Sequence, residues 1–198
     1  MTDAVALTPE RILDTAEEVL RRYGPAKATV VDVARALGVS HGSVYRHFDS
    51  KAALRDAVTE RWLARVSAPL QAIVASDAPA PQRLRQWMEA LVAAKRSKVL
   101  DDPELFATYR AIVVDAREVV AAHVSSLIAQ LETMLREGVA RGELVAVDPK
   151  ATAAAIFDAT ARFHNPAHAA EWGDPDIDAA FKRVWTLIEA GLLAQRRP

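Results

Sequence analysis

Five apolar side chains recur at every fourth position through the middle of the chain: Leu54, Val58, Trp62, Val66 and Leu70. A step of four keeps side chains on one face of an α-helix, whereas a half-buried strand needs a step of two. The stripe therefore predicts one long helix, which begins after Asp49-Ser50 and runs to about residue 75. No alternating apolar pattern persists elsewhere, and aromatic residues make up only 6% of the chain. The sequence therefore predicts an all-α fold.

Helical periodicity divides the rest of the chain into further helices. Thr8 and Pro9 are typical of a helix start, and Gly24-Pro25 ends this first helix. Beyond the long helix, the pattern predicts helices at about 82–100, 103–114, 116–140, 148–164 and 176–195, with an uncertain join near residue 115. We expect about nine helices in all.

Three absences in the sequence narrow the possible classes of protein. The chain contains no cysteine, which excludes disulfides, thiolate metal sites and cysteine nucleophiles. No segment approaches the roughly 20 apolar residues that span a bilayer. The first residues also lack the basic stretch and apolar run of a signal peptide. We therefore expect a cytoplasmic protein with no membrane partner.

Two short helices joined by a glycine turn precede the long helix. Thr29 is placed to cap the first of them, and Asp32, three residues later, supplies the acidic half of a capping box. Gly38 ends that helix, where a left-handed backbone suits glycine, and Ser40 caps the next. Two helices at this spacing are typical of a helix-turn-helix, whose second helix enters the major groove of DNA.

The second short helix, predicted over 40–48, is crowded with hydrogen-bonding side chains. Its apolar anchors are Val44 and Phe48, so the remaining positions face largely outward: His41, Gly42, Ser43, Tyr45, Arg46 and His47. Residues 35–55 carry four Lys or Arg against one Asp, although the whole chain has a net charge of −1. A helix with so few anchors is suited to presenting donors and acceptors to a partner.

The stretch "TVVDVARALGVSHGSVYRHFDSKAALRDAV" resembles the DNA-binding segment of the TetR (tetracycline-repressor-like) family of transcriptional regulators. The resemblance covers roughly residues 9–62 and depends on the order and spacing of "A..LGVS", "VY.HF" and "SK..L". It implies a helix-turn-helix DNA-binding domain over 1–50 and a helical regulatory and dimerisation domain over 51–198. The long helix from Ser50 would connect the two.

The resemblance implies contacts both with bases and with phosphates. The base-facing positions at the start of the recognition helix are His41, Gly42 and Ser43. The phosphate-facing positions are Thr29, Tyr45, His47 and Lys51. Arg46 can reach either, and Val31 replaces a polar or basic residue with which some relatives make a further base contact. Structural alternatives stay open: Tyr45 as a half-buried core residue, His47 as a capping or solvated side chain, and Lys51 as a solvated lysine.

The resemblance also implies a repressor that a small-molecule effector releases from a palindromic operator, and a homodimer formed by the last two long helices. The candidate ligand-binding residues are mostly aromatic or sulfur-containing side chains of the second part: Trp87, Met88, Phe106, Tyr109, Arg110, Met134, Phe157, Phe163, His164, Asn165 and Trp172. Because aromatic residues at helical spacing mostly form cores, each is only a candidate.

Other classes of function find little support in the sequence. His164 and His168 have a spacing that could bind a metal, but Pro166 lies between them, so a turn or pocket lining is the better interpretation. The acidic residues Asp101, Asp102 and Glu104 favour a helix start. We predict no catalytic residue, no metal and no cofactor. Two alternatives remain. One is an enzyme that acts on small molecules, and the other is a regulator that senses a protein or needs no ligand.

Overall fold

The computed structural model describes residues 6–101, 103–113 and 116–193. Within these ranges it contains ten α-helices, one 3₁₀ helix and no β-strand, which confirms the all-α prediction. The helices are α1 (Pro9–Tyr23), α2 (Val30–Leu37), α3 (His41–Tyr45), α4 (Lys51–Val74), α5 (Ala80–Asp101), α6 (Pro103–Val113), α7 (Arg117–Ala140), α8 (Pro149–Ala159), α9 (Ala161–His164) and α10 (Ile177–Leu192), with a 3₁₀ helix at Pro166–Glu171 before α10. None of these helices is long and apolar enough to cross a lipid bilayer.

The helices form two compact units, each with its own core. The first unit comprises the described residues of Met1–Leu63 and Asp102–Ala121, and the second those of Ala64–Asp101 and Ala122–Pro198. The sequence predicted a boundary at residues 50 and 51. The first unit extends further because Leu54, Val58 and Trp62 of α4 pack into the same core as α1 and α2.

Apolar side chains from five helices meet in the core of the first unit. The buried residues include Ile12, Ala16 and Val19 of α1, Val30 and Val33 of α2, Val44 of α3, the three α4 residues named above, and Tyr109 of α6. A cluster of charges supports the contact between α1 and α4. Arg61 donates to Glu17 Oε1 from Nη2 at 2.7 Å and to Asp14 Oδ1 from Nη1 at 2.8 Å.

The core of the second unit is built on α5 and α7, with α8, α9 and α10 packed against them. A glycine allows the start of α5 to approach α7 closely. A Cβ atom at Gly138 would lie 2.6 Å from both Ala80 Cβ and Leu144 Cδ1, so a larger residue would force the two apart. Nearby, the buried Arg83 donates from Nη2 to Glu137 Oε2 at 2.7 Å.

Two predicted helices differ from the observed ones. The helix expected over 148–164 is divided at Thr160, whose backbone leaves the helical region (φ −99°, ψ 3°). The recognition helix, expected over 40–48, is α-helical only over His41–Tyr45. Its hydrogen bonding nevertheless continues as a turn, since the amides of His47 and Phe48 both donate to the Val44 carbonyl. The joins near residues 102 and 115 lie outside the described residues.

Candidate nucleic-acid interface and ligand-binding core

The capping box predicted at the start of α2 is present. Thr29 Oγ1 accepts from the Asp32 amide at 3.2 Å, and Asp32 Oδ2 accepts from the Thr29 amide at 3.1 Å. The Thr29 hydroxyl also donates to Asp32 Oδ2 at 2.6 Å, and this bond is the main cause of the lowered pKa of Asp32. The Thr29 side chain is exposed, but a phosphate would have to compete with Asp32 for its proton.

The turn between α2 and α3 has the predicted geometry. Gly38 takes the left-handed conformation (φ 69°, ψ 29°), and Val39 donates its amide to the Ala34 carbonyl at 3.0 Å. Because this conformation disfavours residues with a Cβ, glycine is the suitable residue here. The half-buried Val39 side chain packs against the core and so supports the angle between the two helices.

Helix α3 is held by one buried side chain and a local network of polar contacts. Val44 is fully buried, whereas Phe48 is half-buried. Ser40 Oγ accepts from the Ser43 amide at 3.2 Å and lies 2.9 Å from Ser43 Oγ. Arg46 Nη2 donates to the same Ser43 hydroxyl at 3.2 Å. Arg46 is thus aligned along the outer surface of the helix.

The side chains that the resemblance assigns to DNA lie together in the first unit. Seven of the eight are exposed, and Ser43 is half-buried. Tyr45 is 40% exposed and makes an edge-on contact with the ring of His41, with centroids 6.4 Å apart. This places Tyr45 outside the core. Val31, on α2, is 51% exposed and therefore offers an apolar surface beside these polar groups.

Lys51 stands at the start of α4, where its charge opposes the helix dipole. Ser50 caps this helix by accepting the Ala53 amide at 3.0 Å. The Lys51 side chain is exposed, and within the described part of the chain it forms no ion pair. An anion bound near the start of α4 would compensate both the lysine and the helix end.

A cleft of about 600 Å³ lies beside this surface, within the first unit. Its walls come from α1, α2, α4 and α6 and are mainly apolar. Thr29 and Lys51 line the cleft, together with buried residues such as Val33 and Val58. The sequence pattern did not indicate this cleft, because a groove between helices depends on packing angles that periodicity does not define.

The predicted ligand-binding residues divide between the two units. Six are buried in the second unit: Trp87, Met88, Met134, Phe157, Phe163 and His164. Trp172 is also buried there and donates from Nε1 to the Arg162 carbonyl at 2.9 Å, whereas Asn165 is exposed and caps the 3₁₀ helix. Phe106, Tyr109 and Arg110 belong to α6 in the first unit, so they do not join the cluster in the second.

The two histidines with metal-ligand spacing have separate partners. His164 Nε2 lies 3.2 Å from the Phe157 carbonyl and 3.3 Å from Thr160 Oγ1, and burial lowers the pKa of His164 to about 4. His168 Nδ1 lies 2.7 Å from Glu171 Oε1. His164 is therefore a neutral core residue at neutral pH.

The structure reveals buried polar residues that the sequence analysis missed. Trp87 Nε1 donates to Gln130 Oε1 at 2.8 Å, but within the described part of the chain Gln130 Nε2, His123 Nε2 and Trp185 Nε1 are buried without a hydrogen-bond partner. Lys95 is only 7% exposed, and burial lowers its pKa to about 8. The sequence did contain a sign of this burial, because Lys95 follows Trp87 and Leu91 at the same step of four along α5.

A helix-turn-helix in one unit and a second unit made of helices define a class of helical regulators. The chain belongs to the tetracycline-repressor-like family of bacterial regulatory proteins. Residues 12–58 match the model of the tetR family of bacterial regulatory proteins, and residues 80–185, more than half of the chain, match the tetracyclin repressor-like C-terminal domain.

Sequence identity to individual relatives is modest and covers only part of the chain. The chain is 35% identical over 78 residues to the uncharacterized HTH-type transcriptional regulator Rv1255c of Mycobacterium tuberculosis, a match that covers 39% of each protein. The matched region thus spans about two fifths of this relative. The HTH-type transcriptional repressor KstR2 of Rhodococcus jostii is 29% identical over 126 residues, which cover 64% of this chain and 58% of KstR2.

Among solved structures, the fold is shared with SmeT, the repressor of the Stenotrophomonas maltophilia multidrug efflux pump SmeDEF. The TM-score is 0.69 at 20% identity, and the match covers 98% of this chain and 94% of SmeT. A complex of SmeT with triclosan matches with a TM-score of 0.67 at 20% identity and covers 95% and 92% of the two chains.

Proposed function

We propose that the protein is a sequence-specific DNA-binding transcriptional regulator, a cytoplasmic repressor that a small molecule releases from a palindromic operator. The observation that carries this proposal is the exposed surface of α3, which is anchored by Val44 and presents His41, Tyr45 and Arg46 outward. The protein acts in this proposal by binding alone, without catalysis. The alternative of an enzyme involved three acidic residues, Asp101, Asp102 and Glu104. Their side chains lie outside the described part of the structure.

The chemistry of the exposed surface supports contact with duplex DNA. His41 and Ser43 can donate to or accept from base edges in the major groove, and Gly42 permits close approach of the backbone. Lys51 and the hydroxyl of Tyr45 suit phosphate oxygens, which fix the register of a protein on DNA without reading its sequence. Thr29 is the weaker phosphate contact, because its hydroxyl is already donated to Asp32.

The exposed faces of the last helices support a homodimer. Ala151, Ala155 and Ala159 follow at steps of four on α8 and are all exposed, so a second copy can approach this face closely. On α10, Leu187 is 75% exposed. We propose that α8 and α10 of two copies pack together around a two-fold axis. Light scattering tests this: we expect twice the chain mass for the wild-type protein and the chain mass for Leu187→Glu. A monomeric wild-type protein would contradict it.

The core of the second unit supports a ligand response. Its unpartnered polar atoms are the kind of groups that a bound molecule satisfies. Two similar proteins support repression and small-molecule binding: KstR2 is a repressor, and SmeT forms a complex with triclosan. A ligand that binds one conformation of the dimer better than another shifts the population away from the DNA-binding state.

Selection of genomic fragments tests the proposal as a whole. Purified protein is incubated with sheared genomic DNA, and the retained fragments are sequenced. We expect a small number of enriched sites that share a palindrome, with half-sites about one helical turn apart or slightly more. Uniform recovery of fragments would contradict sequence-specific binding.

A further inference from the structure

The cleft in the first unit has the size and the lining of a small-molecule site. Its volume of about 600 Å³ falls within the range of roughly 300–1,000 Å³ that is typical of ligand pockets. The buried Val33, Val58 and Ile112 line its inner part, and the exposed Ala52 and Ala111 line its outer part. All the lining residues belong to the first unit, so the cleft is distinct from the candidate ligand-binding residues of the second.

Short side chains leave this space open between the helices. The wall positions include Ala16 of α1, Ala52 of α4 and Ala111 of α6. The loop between α1 and α2 adds Ala26 and Ala28. A methyl group fills little of the gap between two helices, whereas a leucine or phenylalanine at such a position would occupy it. A bound apolar group would instead cover these walls and remove them from water, which is favourable.

The charged groups at the cleft favour an anion. No Asp or Glu is among the described residues that line it, whereas Lys51 and Arg55 both line it. Arg55 is already occupied, since its Nε and Nη2 atoms each lie 3.2 Å from Asp56 Oδ1. Lys51 forms no ion pair within the described part of the chain. Its exposed ammonium group stands on a flexible stem and can turn toward a bound molecule.

One carboxylate lies close to the cleft without lining it. Asp32 accepts the hydroxyl proton of Thr29, which is a lining residue, at 2.6 Å. The charge of Asp32 is compensated by Arg35, whose Nη1 atom donates to Asp32 Oδ1 at 2.9 Å. Among the described lining residues, Lys51 is therefore the cation that remains for an anionic group.

We propose that the cleft binds a small molecule with an apolar body and an anionic end. The body would lie between α1, α2, α4 and α6, and the anionic end would pair with Lys51. Because Lys51 is also a proposed phosphate contact, the bound molecule would compete with DNA for this lysine and so weaken DNA binding from within the first unit. This competition rests on the proposed function, whereas binding to the cleft does not.

A matched pair of dyes tests binding to the cleft. Anilinonaphthalene sulfonate combines two aromatic groups with a sulfonate, and phenylnaphthylamine has the same body without the charge. Both fluoresce more strongly in apolar surroundings, so titration of the full-length protein at pH 7 measures the number of sites and their affinity. We expect Ala111→Phe, which fills the cleft, to remove one site per chain for both dyes. Ala107→Phe, at an exposed alanine four residues earlier on α6, should keep that site.

A second wall position and a fold control make this comparison independent of one variant. Ala52→Phe, at the exposed start of α4, should remove the same site as Ala111→Phe. Circular dichroism shows whether each phenylalanine variant keeps its helices. A variant that keeps its helices and all its dye sites would contradict binding at the cleft.

The same dyes test the role of Lys51. We expect Lys51→Met to weaken binding of the sulfonate dye at this site about three-fold, because only this dye has a charge to pair with the exposed lysine. Binding of the neutral dye should not change. Lys27→Met is the control, since Lys27 is an exposed lysine of the first unit that does not line the cleft. If Lys27→Met weakens binding of the sulfonate dye as much as Lys51→Met does, the anionic end does not pair with Lys51.

Duplex DNA tests the competition separately. We expect a saturating amount of duplex to lower the affinity for the sulfonate dye at the cleft more than the affinity for the neutral dye. Equal affinities with and without bound duplex would overturn the competition and leave the binding site intact. If the protein binds no duplex at all, the proposed function is wrong, and the dye titrations still decide whether the cleft is a site for hydrophobic anions.

Discussion

The rings of Trp62 and Tyr109 lie almost parallel, with their centroids 4.4 Å apart and an angle of 14° between their planes. Both side chains are buried, and the stack joins α4 to α6 within the first unit. Stacked aromatic pairs contribute about 0.5–1.5 kcal/mol beyond the area that they bury. Tyr109 therefore stabilises the unit that carries the exposed surface of α3.

We predict that Tyr109→Ala destabilises the protein strongly. Removal of a buried aromatic side chain costs about 3–5 kcal/mol, because it loses the stack and leaves a cavity. The free energy of unfolding, measured in urea at pH 7, should fall by about 3 kcal/mol. The matched control is Tyr23→Ala, at a tyrosine that is 45% exposed, where we expect a loss below about 1 kcal/mol. Equal losses for the two variants would contradict the structural role of Tyr109.

The placement of Tyr109 illustrates which features the sequence could predict. Local features were predicted well: the caps at Thr29 and Ser40 and the left-handed turn at Gly38 depend on residues within three positions of each other. The stripe from Leu54 correctly predicted a long helix over Lys51–Val74. Such features are determined by neighbours along the chain, so periodicity and capping rules suffice for them.

Features that depend on contacts between distant segments were predicted less well. Periodicity indicates that Tyr109 lies on the buried face of its helix, but it does not indicate which of the two cores that face joins. In the structure, Tyr109 packs in the core of the first unit. Lys95 was overlooked because a lysine at an apolar position could equally extend to solvent. The division of the 148–164 helix at Thr160 was missed for another reason: nothing in its flanking residues, such as a proline or glycine, marks the break.

Loss of a phosphate contact should weaken DNA binding on every sequence. We predict that Lys51→Ala lowers affinity for a selected operator and for unrelated DNA by similar factors, because phosphates are common to both. The dependence of log affinity on log salt should also become shallower by about 1. Fluorescence anisotropy titrations over a range of salt concentrations measure both effects. Unchanged affinity and slope would mean that Lys51 is only a solvated lysine.

The hydroxyl of Tyr45 permits a more conservative test of the same kind. Tyr45→Phe keeps the ring that contacts His41 and removes only one hydrogen-bonding group. We expect a several-fold loss of affinity on all sequences with no change in the melting temperature. If the melting temperature falls instead while DNA affinity is kept, Tyr45 has a packing role.

A base-facing residue should affect specificity as well as affinity. We predict that His41→Ala changes which bases are tolerated at one position of each half-site, since a good side-chain contact contributes about 1–3 kcal/mol of discrimination. Competition between single-base variants of the operator measures this preference. The comparison with Lys51→Ala serves as the control, because that variant should keep the preference. An identical base profile for wild type and His41→Ala would remove His41 from the base-reading set.

Burial of His164 predicts a loss of stability in acid. Its pKa falls from 6.5 to about 4 in the folded protein, mainly because burial disfavours the charged ring. Between these values the unfolded chain binds the proton more readily, so acidification from pH 6.5 toward pH 4 favours unfolding. The shift corresponds to about 3 kcal/mol at its full extent. Replacing the ring with His164→Phe should reduce the stability lost between pH 7 and pH 4 by about this amount.

Urea unfolding at pH 7 and at pH 4 measures the effect. His47→Ala is the control, since His47 is exposed on the surface of the first unit. We expect this control to lose as much stability in acid as the wild-type protein does. If His164→Phe loses as much as the control, then His164 is not the buried neutral group that the structure indicates.

Whether the exposed surface of α3 reads DNA can be decided by selection from a randomised duplex pool. Successive rounds of binding by the purified protein are sequenced, in parallel with a double variant that combines His41→Ala and Lys51→Ala. We predict that the wild-type protein enriches one palindromic sequence and that the double variant does not. Failure of the wild-type protein to enrich any sequence, or equal enrichment of the same palindrome by the double variant, would contradict it.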